Sequence, residues 1–402
     1  MRVNLIGLGS GAEENLTAEA REALEQAELV LGAERLLRAL PAAKGQTRVA
    51  AVRPAEILAA LQETKAESPC VVFSGDTGFY SGAAGLLPLL REAGMAWRVL
   101  PGLSSVQLLA ARLGEPWQEW TLCSAHGVDC DPIAALMAGR PAFFLAGGRQ
   151  TPASLCRIVR DAGLGALRVA VGENLGCPEE RVVTGTAAEC AEMDFAPLSV
   201  LLVEAVPHPC ERTGGIPDDA FCRGEVPMTK QEVRAAILAK LAVRPENTVW
   251  DVGAGTGSFS VELALAARRG RTYAVEYKDE ACTLIEENRR RFGAWNLRLV
   301  RGRAPEALTE LPTPDAVFVG GSEGRLAEIV KTALSKNPDV RLCVSAIALE
   351  TLSAALEVFA ALGMEAEVTQ IAVSRAKPGG RLHLLLANNP VFLVTACREA
   401  GS

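Results

Sequence analysis

Short apolar runs rich in β-branched residues recur along the chain and are separated by stretches with helical spacing of their apolar positions. In the first half such runs begin at Val3 (VNLI), Cys70 (CVVFSG), Trp120 (WTLCSA), Ala142 (AFFLAG), Leu167 (LRVAVGE) and Ser199 (SVLLVEA), with helical stretches such as Thr17–Glu28 and Thr151–Ala162 between them. Strands alternating with helices predict an α/β arrangement with one mainly parallel, helix-covered sheet. The rhythm stops at VPHPCERTGGIPDD, Val206–Asp219, where three prolines and a glycine pair allow neither helix nor strand to continue. A domain break is therefore expected near residue 212, giving domains 1–212 and 213–402.

The second half restarts the pattern. Strands are expected at Thr248–Val252, Arg271–Glu276, Leu297–Arg301, Ala316–Val319 and Arg341–Ser345, then near Glu365–Val373 and at Leu382–Ala387. Five strand and helix alternations followed by two strands with no clear helix between them predict a doubly wound sheet whose last strand is antiparallel.

Inside this pattern Asp251-Val-Gly-Ala-Gly-Thr-Gly257 joins a strand to a helix. A dinucleotide fingerprint would need its third glycine at position 258, which is Ser258. The spacing suits S-adenosylmethionine (SAM) instead: Gly253, Ala254, Gly255, Thr256 and Gly257 let the backbone close over the methionine and ribose portion, and Asp251 favours its positive charge. Glu276, at the tip of the next strand, is placed to accept hydrogen bonds from both ribose hydroxyls. Gly302-Arg-Ala304 and Gly320-Gly321 follow the third and fourth strands. Thr229 opens TKQE, so Thr229 and Glu232 are expected to form a capping box, with the hydroxyl also able to reach over the cofactor.

The first half has its own loops after strand-like runs: GLGSG with Gly7 and Gly9, SGDTGFYSGA with Gly75 and Asp76, PGLSS with Ser104 and Ser105, SAHG with His126, and ENLG. They are expected to gather at the carboxyl edge of one sheet, where open α/β folds bind ligands. Asp76 makes an Asx turn or holds a charged or hydroxylated part of a cofactor.

Composition narrows the function classes. Of the 402 residues 49% are hydrophobic and only 5% aromatic, which fits aliphatic cores of two globular domains. The whole net charge of −7 belongs to residues 1–212, and no basic tail offers a footprint for nucleic acid. Eleven cysteines without a CxxC pair, three widely separated histidines and a start, MRVNLIGLGSG, without the basic and apolar regions of a secretory signal predict a reduced cytoplasmic protein with no metal site. No apolar run approaches the roughly 20 residues that span a bilayer.

These motifs carry a resemblance. IGLGSGAEENLT, SGDTGFYSGA, PGLSSVQLLAARLG, SAHG and GENLGCPEERVVTGTAAE resemble the tetrapyrrole methylase family, specifically its cobalamin-pathway branch. GIPDDAFCRGEVPMTKQEVRA, WDVGAGTGSFSVELA, RGRAPEAL, AVFVGGSEG and NNPVF resemble the decarboxylating partner of that pathway. Fused in this order they resemble the decarboxylating precorrin-6Y C5,15-methyltransferase family over nearly the whole chain.

The resemblance implies a tetrapyrrole methylase α/β fold followed by a Rossmann-like class I SAM-dependent methyltransferase with a seven-stranded sheet. It implies methylation of a precorrin or cobalt-precorrin at carbon 5 by the first domain, and carbon 15 methylation with loss of the carbon 12 acetate carboxyl by the second. Family cofactor contacts fall on Gly7, Gly9, Asp76, Ser104, Ser105, Thr229, Gly253 to Gly257, Glu276 and Ala304. Related methylases often carry Pro where this chain has Ser10, and that contact is not carried over. The substrate would be a polycarboxylate, and Arg301, Arg303, Arg325, Arg375, Lys377 and Arg381 lie near loop ends able to meet it. A homo-oligomer is expected.

Two other function classes compete with this one. The first fold also resembles diphthine and ribosomal-RNA methylases and the second resembles generic RNA methylases, but neither an RNA-binding module nor a basic run beyond Arg289–Arg291 is present. A non-catalytic SAM-binding scaffold would show one degraded pocket, and both motif sets are complete.

Overall fold

The computed structural model describes residues 1–41, 45–207 and 214–396. The chain folds as two compact units, Met1–Cys130 with Pro141–Glu204, and Asp131–Arg140 with Ala205–Ser402. The expected break between 212 and 213 lies outside the described residues.

The first unit contains two sheets where the sequence pattern predicted one. The first sheet comprises β1 (Arg2–Gly7), β2 (Leu29–Gly32), β3 (Thr47–Ala50), β4 (Cys70–Phe73) and β5 (Ala96–Leu100) in the order β3-β2-β4-β1-β5. All its pairings are parallel, and β1, paired on both sides, buries every residue after Arg2. The second sheet comprises β6 (Thr121–Ser124), β7 (Ala142–Leu145), β8 (Arg168–Glu173), β9 (Arg181–Thr186) and β10 (Ser199–Val203) in the order β6-β7-β10-β8-β9. Only β6 and β7 run parallel in it; the others pair antiparallel. A fully buried antiparallel strand such as β10 reads as the same continuous apolar run as a parallel one, so the pattern alone did not separate the two sheets.

The second unit is built on a seven-stranded sheet in the order β13-β12-β11-β14-β15-β19-β16, where β11 is Thr248–Val252, β12 Arg271–Glu276, β13 Leu297–Arg301, β14 Ala316–Val319, β15 Arg341–Ala346, β16 Ala366–Ile371 and β19 Val391–Ala396. The first five are parallel, and β19 pairs antiparallel with both β15 and β16. Side chains alternate between faces. Trp250, Val252, Val317, Val319, Leu342 and Val344 pack into one core, while Val249, Phe318, Cys343 and Leu393 meet Val233, Ile237, Phe259 and Leu263 of covering helices in the other.

One expected sheet strand sits elsewhere. Leu382–Ala387 (β18) pairs with Ser374–Gly379 (β17) in a separate two-stranded hairpin, exposed along its whole length, and Val391–Ala396 takes the expected place as the final antiparallel strand. Among the described residues no helix is long and apolar enough to cross a membrane, and no cluster of three or more metal-ligating side chains occurs.

Candidate functional sites

In the second unit, β11 carries Asp251 near its end and the chain turns through three glycines with left-handed φ before the helix Ser258–Ala266 begins. Gly253 shows why the turn needs glycine: a Cβ there would stand 2.8 Å from both the backbone nitrogen and oxygen of Gly321, and its φ is +73°. This close approach joins the loop after β11 to the loop after β14.

Glu276 at the end of β12 grips the same turn. Its Oε2 accepts from Gly255 N at 3.0 Å, and its Oε1 accepts from Tyr277 N at 2.9 Å and Lys278 N at 3.0 Å. Asp251 is 1% exposed. Its Oδ2 accepts from the Ser260 hydroxyl, while its Oδ1 is buried and has no hydrogen-bond partner among the described residues. Burial pushes this carboxyl up to about 7; the nearby Glu276 charge adds to the rise and the Ser260 hydroxyl opposes it.

These groups face a cavity of about 560 Å³. Thr229, Asp251, Gly253, Ala254, Gly255, Thr256, Glu276 and Ala304 all line it. Gly257 does not; a Cβ there would meet Ile285 at 2.8 Å, so this glycine serves the packing of the helix Asp279–Arg291.

The expected Thr229 and Glu232 capping box does not form. The helix Gln231–Leu241 starts after Lys230, one residue later than a Thr229 cap requires; Gln231 N donates to Asp218 Oδ1 at 2.9 Å, and the Glu232 carboxylate is bound by the Arg375 guanidinium at 2.7 Å. Thr229 is instead held by its carbonyl, which accepts from Arg234 Nη1 at 2.6 Å. Arg234 is fully buried and also donates to Asp218 at 2.8 Å and Glu262 at 3.1 Å. This buried ion network fixes the segment 226–230 along the cavity wall.

The first unit assembles a second cavity, of about 350 Å³, where loops of its two sheets meet. Gly9 and Gly75 exchange backbone hydrogen bonds of 3.1 and 2.8 Å, joining the loops after β1 and β4. Gly102 is locked below them: a Cβ would lie 2.4 Å from Gly7 O and 2.5 Å from Gly75 O. Gly9, Gly75, Asp76, Ser104 and Ser105 line the cavity, and Gly7 lies in the backbone packing beneath it.

Asp76 is an Asx turn and a bridge together, accepting from Gly78 N at 2.8 Å and Gly102 N at 3.1 Å. Ser104 caps the helix Ser105–Leu113 in a capping box with Gln107. Ser10, Arg35, Tyr80 and His126 also line this cavity. Tyr80 has a φ of +48°, rare for an aromatic residue, and its hydroxyl donates to Leu122 O at 2.9 Å. Its strain has no signature in local sequence. Lys230, Ser345, Asn388 and Asn389 of the larger cavity carry no individual signal in the sequence either, although both asparagines and the lysine sit in NNPVF and TKQE.

The loop-end arginines are mostly paired: Arg301 with Asp279 at 3.4 Å, Arg303 with Glu323 at 2.8 Å, Arg325 with Glu306 and Glu328 at 2.7 and 2.6 Å, and Arg375 with Asp218 as well as Glu232.

Comparison with known proteins places both units. Residues 2–191 match the family of tetrapyrrole (corrin/porphyrin) methylases, and residues 219–398 match the precorrin methyltransferase domain. A precorrin-6Y C(5,15)-methyltransferase [decarboxylating] of Sinorhizobium is 32% identical over 94% of this chain and 92% of its own length. A probable cobalt-precorrin-6B C(15)-methyltransferase (decarboxylating) of Pyrobaculum calidifontis is 47% identical over 46% of this chain and 96% of its own. Among solved structures, a precorrin-6Y C5,15-methyltransferase of Geobacter metallireducens is 36% identical, with a TM-score of 0.45, over 46% of this chain and all of that one. With both halves matched and the Sinorhizobium relative aligned almost end to end, the chain belongs to the decarboxylating precorrin-6Y C(5,15)-methyltransferase family.

Proposed function

We propose that this chain methylates a precorrin or cobalt-precorrin at carbons 5 and 15, with loss of the carbon 12 acetate carboxyl as carbon dioxide, in cobalamin biosynthesis. The first unit takes carbon 5; the second takes carbon 15 and the decarboxylation. The observation that carries the reading is the presence, on one chain, of two separate cavities, each floored by interlocked glycine loops.

The residues of the larger cavity, in the second unit, fit SAM. Asp251 Oδ1, buried without a donor, suits the cofactor's positive charge, and Glu276 keeps acceptor capacity for ribose hydroxyls beside the amides it already binds. In the first unit Gly9, Gly75, Asp76, Ser104 and Ser105 would hold the second cofactor molecule. When bound, SAM supplies an electrophilic methyl on its sulfonium.

The chain's own work is alignment and exclusion of water. An electron-rich ring carbon forms the new bond to the methyl as the carbon–sulfur bond breaks, so proximity supplies much of the acceleration and no activated Ser or Cys is needed. In the decarboxylation the acetate carbon–carboxyl bond breaks, its electron pair passes into a protonated ring imine and carbon dioxide leaves. The reading includes a cytoplasmic enzyme with a small macrocycle, rather than nucleic acid, as substrate; nine described cysteines are free thiols. A homo-oligomer belongs to it as well, supported by four leucines of β18 that are 48 to 74% exposed.

The test is mass spectrometry of the tetrapyrrole after incubation with SAM and either the wild-type chain or Gly253→Ala. Two methyl groups gained with one carbon dioxide lost, falling to one methyl gained without that loss in the variant, is the expected result. An unchanged tetrapyrrole with the wild-type chain would refute it.

A further inference from the structure

A polycarboxylate ring needs cations where its side chains land; Arg301, Arg303, Arg325 and Arg375 each face a carboxylate of the chain, and Lys377 and Arg381 are exposed and outside the cavity lining. Lys230 differs from them. It is half-buried in the wall of the second unit's cavity, and its ammonium has neither ion pair nor hydrogen bond among the described residues. The same cavity thus holds a buried acceptor without a donor, Asp251 Oδ1, and a cation without an anion. Lys230 also stands at the start of the helix Gln231–Leu241, where the positive end of the helix dipole disfavours a cation. An incoming carboxylate would offset that cost.

The helix that Lys230 opens packs away from the ribose end. Val233 and Ile237 of its helix pack on Phe318 of β14, Cys343 of β15 and Leu393 of β19, whereas Glu276 ends β12 on the far side of β11. At about 4.8 Å between strands, β12 and β15 are about 14 Å apart. The cavity's other lysine, Lys278, lies 5.8 Å from the Tyr277 ring, beside Glu276. Ser345, Asn388 and Asn389 add uncharged polar groups to the cavity lining.

We infer that Lys230 is a specificity-determining residue whose ammonium seats a carboxylate of the tetrapyrrole in the second unit. The inference rests on the proposed function and adds the group that recognises the acid. The cofactor carries a carboxylate too; the packing of the lysine's helix over β14, β15 and β19 favours the tetrapyrrole.

The experiment compares the full chain with Lys230→Met and Lys230→Arg, measuring SAM affinity by calorimetry and the KM and kcat of carbon dioxide release separately. In Lys230→Met the tetrapyrrole KM rises about 10- to 100-fold, as expected for loss of a charge-assisted contact, while SAM affinity changes less than about twofold. Lys230→Arg recovers most of the KM. Weakened SAM binding with an unchanged tetrapyrrole KM would assign the lysine to the cofactor and overturn the inference, as would no change in either. A wild-type chain that released no carbon dioxide would instead overturn the underlying reading, and the lysine's role with it.

Discussion

Replacing Asp251 by Asn removes a charge from the floor of the second unit's cavity while nearly preserving its shape. The carboxyl rises from an ordinary 3.8 to about 7 because it is buried. That rise corresponds to about 4 kcal/mol by which folding favours the protonated over the ionised carboxyl, relative to the unfolded chain. A cationic ligand facing Oδ1 favours the ionised form, so binding is coupled to release of a proton.

With a midpoint near 7, the ionised fraction is roughly one tenth at pH 6 and nine tenths at pH 8, and affinity scales with the competent fraction. SAM should therefore bind the second unit about tenfold more tightly at pH 8 than at pH 6. Calorimetry in buffers of different ionisation enthalpy reads both the affinity and the released proton. Asp251→Asn should lose this pH step. Stability carries the opposite sign: a carboxyl raised by folding contributes fully below its unfolded value near 4, and that contribution is lost as pH rises through about 7. Without cofactor the wild-type chain should thus lose stability relative to Asp251→Asn between these limits. A pH-independent affinity at this site, or the same pH step in the variant, would refute the reasoning.

Glu276→Ala leaves the Gly255, Tyr277 and Lys278 amides without their acceptor; SAM affinity of the second unit should fall about 10- to 100-fold by calorimetry, with carbon 5 methylation intact. Gly102→Ala drives a methyl into the Gly7 and Gly75 carbonyls, and mass spectrometry should show carbon 5 methylation lost while carbon dioxide release persists. Arg234→Met strands the buried Asp218 and Glu262 carboxylates; the second unit should lose about 3 to 5 kcal/mol, lowering its melting temperature by about 10 °C in calorimetry.

Much of the second unit was legible because its signals are local. Thr248–Val252, Arg271–Glu276, Leu297–Arg301 and Ala316–Val319 are strands over the ranges expected, since each apolar run ends at a turn residue or a charge. Leu382–Ala387 misled because a run of leucines reads alike in a buried strand and in an exposed hairpin; only the pairing with Ser374–Gly379 tells them apart. In the first unit β7 pairs with β10 across more than fifty residues, a choice of partner that no local pattern records. The glycine loops and Glu276 could be found by spacing along the chain. Asp218 and Arg375, which meet Gln231 N and the Glu232 carboxylate from 13 and 143 residues away, could not, so the capping box that the sequence suggests is absent in the fold. Lys230 was hidden for the same reason, because its lack of a partner is a property of the packed cavity.

The central claim is that each unit holds its own methyl donor, and equilibrium titration of the full-length chain with SAM tests it most directly. Two equivalents should bind per wild-type chain, and one each after Gly253→Ala and after Gly102→Ala. A single equivalent in the wild type, or a variant that still binds two, would contradict it.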